Sequence, residues 1–356
     1  MVPLQKASGR GPVGLDEIRP IVVRSHIAKI MEKAILAKIK EEDQHLLASQ
    51  IYQTGFKEGK STAIHASRLL QEVHGRKKRK FNLLIDLQKA YDSVDREILF
   101  EILRKRARSS KEEFLISLIE ELHRTSLIEV GTSTVVAEMG LPQGSVLSPL
   151  LFNIYLEEAL RTSPKLEQVR KRGDLLAFAD DMLLMSNSRT EVEEIVNEVA
   201  SLELSYNLRL NKKKSEILTA EDAEEIAGVK CRKSVKYLGV KVTTDRSEQR
   251  RIAKEQIYRN LNALRWKLKG GEPKVVQQLT CCLARSLLIY IGTPMVVAGL
   301  WRRQDIDRME AGHYRKILFV GNGVSNKAIL NTMLSIRLAG EAIQHLAKGA
   351  WEESRR

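Results

Sequence analysis

The pattern of apolar and polar positions predicts short strands interleaved with amphipathic helices. Residues 175–186 place an apolar run on each side of the adjacent carboxylates Asp180 and Asp181, which is typical of a β-hairpin. Residues 81–86 form a predicted buried strand that ends in an aspartate, and residues 235–242 alternate like a second hairpin. Acidic residues are therefore expected at strand ends and at a hairpin tip.

Helices are predicted where apolar residues recur three and four positions apart. The first covers residues 18–40 and places six apolar side chains on one face: Ile27, Ile30, Met31, Ala34, Ile35 and Ile39. A helix at residues 114–122 is expected to use Phe114 on its inner face, and Asp95 to cap the helix before it. Further helices are predicted at residues 63–73 and 150–160, after Thr190 and from Ser247 onward, and Ser61 or Thr62 is expected to cap the helix at 63–73. Strands are predicted at residues 126–130, 134–138, 208–210 and 216–218.

Asp180 and Asp181 place two like charges at the tip of a hairpin. If both arms are buried, this arrangement costs free energy unless a cation or water compensates the charge. For a bare pair of aspartates, a solvated turn is the favoured interpretation. The rest of the chain must decide between the two interpretations.

The composition points to a polyanionic partner. Of 356 residues, 59 are Lys or Arg and 45 are Asp or Glu, a formal net charge of +14. Nucleic acid is favoured over a membrane surface, and a generally basic organelle or thermophile protein is the alternative. No apolar run reaches the roughly 20 residues of a membrane span, and the three cysteines lack the spacing of a metal site. A reducing compartment is expected, with the nucleus and the mitochondrion both open.

Three segments occur in an order that suits metal-dependent chemistry. Asp86 ends a strand, residues 140–149 form a Gly/Pro-rich loop that opens a helix, and Asp180 and Asp181 follow in the hairpin. Two Mg²⁺ ions roughly 3.5–4 Å apart need bridging carboxylate oxygens, which Asp86 and Asp180 can supply from neighbouring strands. The predicted reaction is in-line nucleotidyl transfer, with Mn²⁺ able to replace Mg²⁺.

Motifs that occur in order along the chain resemble those of reverse transcriptases, most closely those of non-LTR (LINE-type) retrotransposons. The similarity extends from about residue 2 to about residue 330. The three catalytic motifs are matched by residues 81–94, 140–153 and 178–181, in that order. The lysine motif is matched by residues 210–216 and the primer-grip hairpin by residues 237–239. The fingers motifs, which come first in the chain, are matched by residues 19–21 and 55–62. The family's N-terminal extension and endonuclease are expected to be missing, which leaves a truncated element, a stand-alone organelle protein and a domesticated copy as alternatives.

The resemblance implies a role for individual residues. Asp86 and Asp180 would be the metal ligands, with Asp181 as their acidic neighbour. Tyr91 falls at the steric-gate position that favours dNTPs, although a core aromatic is the alternative. The remaining implied contacts are Gln143, Gly144, Lys57, Lys60 and Lys214 with the nucleotide, and Tyr237, Leu238 and Gly239 with the primer. A solvated surface is the alternative for Lys214 and for the loop that carries Lys57 and Lys60.

The expected fold class is α+β, a right-hand polymerase whose palm is an antiparallel sheet backed by helices. The expected domains are fingers (1–80), palm (81–246, with a fingers insertion at about 96–138), a helical thumb (247–330) and a C-terminal helical extension (331–356). The implied activity is RNA-directed DNA synthesis by a retroelement-derived enzyme, with an RNA template, a DNA or RNA primer, dNTPs and no membrane. The alternatives are an RNA-directed RNA polymerase, which Tyr91 argues against, and a non-catalytic or maturase-like RNA-binding protein.

Overall fold

The computed structural model describes residues 2–5, 18–41, 46, 52–56, 61–75, 78–124, 126–130, 133–268, 273–318 and 325. Strands and helices alternate along these residues. The strands are β1 (Val2–Gln5), β2 (Ile18–Ile21), β3 (Phe81–Ile85), β4 (Ser126–Val130), β5 (Ser133–Ala137), β6 (Leu175–Phe178), β7 (Asp181–Ser186), β8 (Glu216–Thr219), β9 (Glu225–Ile226), β10 (Val229–Arg232), β11 (Ser234–Tyr237) and β12 (Val240–Thr243). The helices are α1 (His26–Glu41), α2 (Thr62–His74), α3 (Arg96–Arg106), α4 (Ser110–Arg124), α5 (Ser148–Thr162), α6 (Pro164–Lys171), α7 (Arg189–Tyr206), α8 (Arg246–Leu268), α9 (Pro273–Val297) and α10 (Arg303–Leu318).

A six-stranded sheet lies at the centre of the described residues. Its order is β6–β7–β3–β8–β10–β9, and its pairs are antiparallel except for β8 with β10. Three further strand pairs, β1–β2, β4–β5 and β11–β12, stand apart from it. The predicted fold class, α+β around an antiparallel sheet, is confirmed.

The two faces of the central sheet belong to two different apolar cores. Alternate side chains of a strand point to opposite faces, so Phe81 and Leu83 of β3 pack with helices α3 to α7. Leu183 and Met185 of β7 pack on the other face with α2, the β11–β12 hairpin and helices α8 to α10. The sheet is therefore covered on both sides, which fixes its register.

Several predicted elements occur where the periodicity placed them. The Asp95 carboxylate caps α3 by accepting from the N–H groups of Glu97 and Ile98, at 3.0 and 3.2 Å. The helix predicted after Thr190 is α7, and the residues that its periodicity places on the inner face are all buried: Val192, Ile195, Val196, Val199 and Leu202. Ser61 occupies the N-cap position of α2 without a side-chain capping bond. The predicted strand at residues 208–210 is wrong, because only a single bridge joins Leu210 to Leu87.

The first predicted helix is wrong at its start and on part of its apolar face. Residues 18–21 form β2, which pairs with β1, and the helix begins at His26. Ile27 and Ile30 are 73% and 67% exposed, whereas Ile35 and Ile39 are buried as predicted, together with Glu32, which was not predicted to face inward. The buried face turns toward Glu32 because this carboxylate bonds a loop between β5 and α5. Phe114 is also exposed, whereas the inner face of α4 is formed by Leu115, Ile116 and Ile119.

The predicted domain boundaries stay a prediction. The helices from α8 onward pack on the β11–β12 hairpin and on one face of the sheet. The expected C-terminal extension, residues 331–356, lies outside the described residues. None of the described helices has both the length and the apolar character that a membrane span requires.

Two buried histidines are held in their neutral form. The His65 ring contacts the Thr54 hydroxyl and lies 3.3 Å from the Tyr237 hydroxyl, and the His123 ring lies 2.9 Å from the Ile119 carbonyl oxygen. Burial lowers the pKa of each imidazole to about 4, because water no longer stabilises the charged form.

These histidines predict that the protein loses stability in mild acid. Each histidine takes up a proton near pH 6.5 in the unfolded chain but only near pH 4 in the folded chain. The full contribution to the unfolding free energy is therefore present above pH 6.5, and it is lost as the pH decreases. Each histidine is expected to cost about 2 kcal/mol of unfolding free energy between pH 7 and pH 5. Urea unfolding at both pH values measures the change, and His123→Gln should reduce the pH dependence. An unchanged dependence in that variant would contradict the assignment.

Candidate active site

The two adjacent aspartates lie at the tip of the β6–β7 hairpin. Phe178 pairs with Asp181, so Ala179 and Asp180 form a two-residue turn. Ala179 has a φ of 56°, the left-handed region that a two-residue hairpin turn demands at its first position. Asp180 therefore sits in the turn itself, and Asp181 is the first residue of β7.

The register of β3 with β7 brings Asp86 to this tip. Ile85 pairs with Met182, and continuing that antiparallel register places Asp86 beside Asp181. Both strands run through the middle of the sheet and are buried on both faces. The predicted meeting of Asp86 with the hairpin thus follows from backbone pairing.

Asn211 and Ser215 hold Asp86 in place. The Asn211 side-chain amide donates to Asp86 Oδ2 at 2.8 Å, and its backbone N–H donates to the Asp86 carbonyl oxygen at 2.9 Å. The backbone N–H of Asp86 donates to the Ser215 hydroxyl at 3.0 Å. No role was predicted for Asn211, although it opens the Asn-Lys-Lys-Lys run of the lysine motif. The sequence signal for this role is that a polar residue directly follows the apolar Leu210.

Six of the twelve predicted site residues line one cleft of about 1160 Å³. Asp181 and the hairpin tip at residues 237–239 are not part of its lining. Lys57 and Lys60 lie outside the described residues. The predicted residues that the cleft brings together are Asp86, Tyr91, Gln143, Gly144, Asp180 and Lys214.

Tyr91 forms part of the cleft with a polar atom that lacks a protein partner. Its ring stacks on Phe152 with centroids 4.8 Å apart and an interplanar angle of 14°. Its hydroxyl is buried and has no hydrogen-bond partner among the described residues. Burial, and secondly the charge of Asp180, raise the pKa of this phenol well above its usual range, so it stays protonated.

The loop of residues 140–145 is fixed by backbone contacts on two sides. The Leu141 N–H donates to the Tyr91 carbonyl oxygen at 2.7 Å, and the Val22 N–H donates to that of Gln143 at 2.8 Å. Gly144 has a φ of 124°, and a Cβ there would lie 2.4 Å from the Val22 carbonyl oxygen. Only glycine suits this close approach. The loop is therefore held at a set distance from Tyr91.

A buried carboxylate on α1 secures the same loop. Glu32 accepts from the Ser145 hydroxyl at 2.9 Å and from the Val146 N–H at 2.7 Å, and it forms an ion pair with Arg24 at 3.0 Å. Its side chain is fully buried. Buried charges need such partners because their desolvation costs several kcal/mol. The apolar pattern gave no indication of this role.

Arg96 holds the chain that leads into the loop. Its guanidinium donates to the carbonyl oxygens of Ala137, Met139 and Gly140 at 2.6, 3.1 and 2.7 Å. Burial lowers the pKa of this group. The segment between β5 and the loop is thereby tied to α3.

The hairpin predicted to contact the primer turns its tyrosine inward. Tyr237 is buried, and the charge of Asp181 adds to burial in raising its pKa. The Leu238 carbonyl oxygen accepts from the Tyr290 hydroxyl, and that of Gly239 from Gln256 Nε2 at 3.1 Å. Contact of this hairpin with a primer stays a prediction.

The three aspartates do not form a ready three-ligand cluster. Within the described part of the chain, no group of three or more His, Cys, Asp or Glu side chains is arranged to hold a metal ion. Asp86 and Asp180 nevertheless line the same cleft and offer the carboxylate oxygens that Mg²⁺ prefers. The donor chemistry of this pair fits a divalent cation.

Replacement of Glu32 is expected to loosen the loop. Glu32→Gln removes the charge that pairs with Arg24 and should lower the unfolding free energy by about 3 kcal/mol, because a buried charge is left without its partner. Glu193→Gln is the matched control, since its pair with Arg189 is exposed and should change stability by less than about 0.5 kcal/mol. Denaturant unfolding of both variants measures the difference, and equal effects would refute the role.

Comparisons with known proteins show which proteins the chain is similar to. The Retrovirus-related Pol polyprotein from type-2 retrotransposable element R2DM of Drosophila melanogaster is 29% identical over 182 residues, 45% of this chain and 17% of that protein. The probable RNA-directed DNA polymerase from transposon BS of Drosophila melanogaster is 26% identical over 312 residues, 80% of this chain and 33% of that protein. A structure of telomerase from Candida albicans covers 90% of this chain and 56% of its own, with 13% identity and a TM-score of 0.44.

The chain spans a third or less of the length of the first curated relatives that it matches. A family model described as "Reverse transcriptase (RNA-dependent DNA polymerase)" matches residues 4–242, about two thirds of the sequence. Since that match covers more than half of its residues, the chain belongs to the reverse transcriptase family.

Proposed function

We propose that the chain is an RNA-directed DNA polymerase that adds dNTPs to the 3′-hydroxyl of a primer by two-metal nucleotidyl transfer. The observation that carries the proposal is the pairing of β3 with β7, which brings Asp86 to the hairpin tip at the edge of the cleft. Tyr91 and Gln143 line the same cleft and face the place where a nucleotide would bind. Retroelement origin is part of the proposal, and it is supported by the similarity to proteins of a retrotransposable element and of a transposon.

Asp86 and Asp180 would hold the metal ions, with Asp181 beside them. Divalent ions are used generally by this family, and carboxylate oxygens suit two Mg²⁺ ions, which Mn²⁺ can replace. When bound, the ions would lower the pKa of the 3′-hydroxyl and neutralise the phosphates. The part of the protein is to fix the carboxylates before substrate arrives, which Asn211 does for Asp86.

The other cleft residues would bind and select the nucleotide. Tyr91 is held flat against Phe152 and would exclude a ribose 2′-hydroxyl. Gln143 and Gly144 lie on the braced loop and would contact the base and sugar. Lys214 is exposed at the rim and would donate a proton to the leaving pyrophosphate. For Lys57 and Lys60, contact with the triphosphate rests on the motif alone.

Charge on the exposed surface supports binding of an RNA template and a DNA or RNA primer. The net charge of +14 favours a polyanion. Basic side chains are exposed on α8 at Arg251, Lys254 and Arg259, and Lys254 lies 6.0 Å from the Tyr258 ring centroid. We propose this face of α8 as part of the path of the primer–template duplex.

Primer extension tests the activity directly. The purified protein, given poly(rA)/oligo(dT), dTTP and Mg²⁺, is expected to extend the primer. Asp180→Ala should reduce the rate about 100- to 1000-fold, because charge stabilisation in the transition state is lost. Asp222→Ala removes an exposed aspartate away from the cleft and serves as the control. Equal extension by the Asp180→Ala variant and the parent would refute the proposal.

The second candidate is a non-catalytic RNA-binding protein, which the strongly basic charge favours. If this candidate is correct, the parent protein incorporates no nucleotide, and Asp86→Ala binds RNA with the same affinity as the parent. Filter binding at two salt concentrations, run beside the extension assay, separates the two candidates.

Tyr91 predicts a preference for dNTPs over rNTPs. Tyr91→Ala opens the space beside the sugar and should reduce discrimination against rNTPs by about 10- to 100-fold. Tyr91→Phe keeps the ring stacked on Phe152 and should retain the discrimination. The ratio of kcat/KM for dTTP and UTP measures the effect. If the parent used both equally, an RNA-directed RNA polymerase would be favoured instead.

A further inference from the structure

A single buried glutamine forms hydrogen bonds with the turn that carries Asp180. Gln53 Nε2 donates to the Ala179 carbonyl oxygen at 3.0 Å, and Gln53 Oε1 accepts from the Ala179 N–H at 3.0 Å. The same Oε1 accepts from the Gly55 N–H at 2.9 Å. Gln53 is 0% exposed. Its amide therefore satisfies both backbone groups of one turn residue.

The backbone around Gln53 runs beside β6, which is the last strand of the central sheet. The Ala177 N–H donates to the Tyr52 carbonyl oxygen at 2.8 Å, and the Thr54 N–H donates to that of Ala177 at 3.0 Å. Gln53 and Ala177 form a parallel bridge. Residues 52–56 thus cover the open edge of the sheet, and the Gln53 side chain reaches past the strand end to the turn.

The turn needs such support because its backbone conformation is unfavourable. Ala179 is an L-residue at a φ of 56°, which costs roughly 1–2 kcal/mol and persists only when surrounding contacts impose it. Gly55 allows the two backbones to approach closely, since a Cβ at that position would lie 2.4 Å from the Ala179 nitrogen.

The contacts act on the peptide group that orients Asp180. The Ala179 carbonyl belongs to the peptide that joins Ala179 to Asp180, so rotation of this peptide swings the Asp180 side chain. An amide is required at position 53 because the Ala179 N–H is a donor and the Ala179 carbonyl oxygen is an acceptor. A carboxylate at neutral pH would face the Ala179 carbonyl oxygen without a proton to donate.

We propose that Gln53 is a positioning residue that fixes the direction of the Asp180 carboxylate toward the cleft. The inference deepens the proposed function and rests on it for its catalytic consequence. Gln53 is buried and does not line the cleft, so it acts through the Ala179–Asp180 peptide.

The test compares two buried glutamines that make equivalent bonds. Gln249 is also 0% exposed, accepts from the Thr243 N–H at 2.8 Å and donates to the Lys241 carbonyl oxygen at 3.0 Å. Gln53→Met and Gln249→Met each keep the side-chain volume and remove the hydrogen bonds. Both variants are expected to lose a similar amount of unfolding free energy. A difference in activity or in local exchange between them is therefore due to the place of Gln53 beside the Asp180 turn.

Two measurements separate positioning from packing. Hydrogen exchange at the Ala179 amide should become about 10- to 100-fold faster in Gln53→Met and stay at the parent rate in Gln249→Met, under conditions where both variants are folded. In primer extension, kcat should fall about 10- to 100-fold in Gln53→Met alone, with a higher Mg²⁺ requirement and little change in KM for the primer–template, as expected for a misplaced catalytic group.

The outcomes distinguish this inference from the proposed function. An active parent with equal kcat and equal Ala179 exchange in the two variants would overturn the role of Gln53. A parent that extends no primer would overturn the proposed function, and the exchange rate at Ala179 would still decide whether Gln53 holds the turn. A fall in kcat of Gln53→Met that Gln249→Met matches would assign the loss to stability and also overturn the inference.

Discussion

The antiparallel pairing of β3 with β7 is the constraint on which the candidate site depends. It sets Ile85 opposite Met182 and so carries Asp86 to the tip that bears Asp180 and Asp181. A slip of one residue would turn every side chain of β3 to the opposite face of the sheet. Both faces are packed, one against α3 to α7 and the other against α2 and the later helices, so a slip would expose both cores. The position of the carboxylates is thus determined by the burial of the sheet.

Each element of the cleft is held by a polar side chain that lies far away in sequence. Asn211 bonds Asp86 across 125 positions, Gln53 bonds the Ala179–Asp180 turn across 126, and Glu32 bonds Ser145 across 113. The three side chains are fully or partly buried, and their hydrogen bonds matter because unsatisfied buried polar groups are costly. Electrostatic preorganisation of this kind lets a site hold its charges before a substrate arrives.

The same contacts explain where local prediction succeeded and where it was wrong. The inward face of α7 and the cap of α3 by Asp95 depend on neighbours within one or two turns, and both agree with the structure. The face of α1 was misjudged because a buried carboxylate, Glu32, overrides the apolar stripe that Ile27 and Ile30 suggest. Helical periodicity counts apolar positions and cannot recognise a charge that is buried for the bonds it makes.

The amino-acid sequence by itself determined the family, the α+β fold class, and the placement of Asp86 at a strand end and of Asp180 in a hairpin turn. These features follow from residue order and short-range periodicity, and the family match over residues 4–242 confirms the resemblance. Only the tertiary structure decided that Asp181 lies outside the cleft, that Tyr237 points inward, and which side chains hold the carboxylates. The physical reason is range: backbone propensity acts over a few residues, whereas these hydrogen bonds form only after strands and helices more than a hundred residues apart have packed.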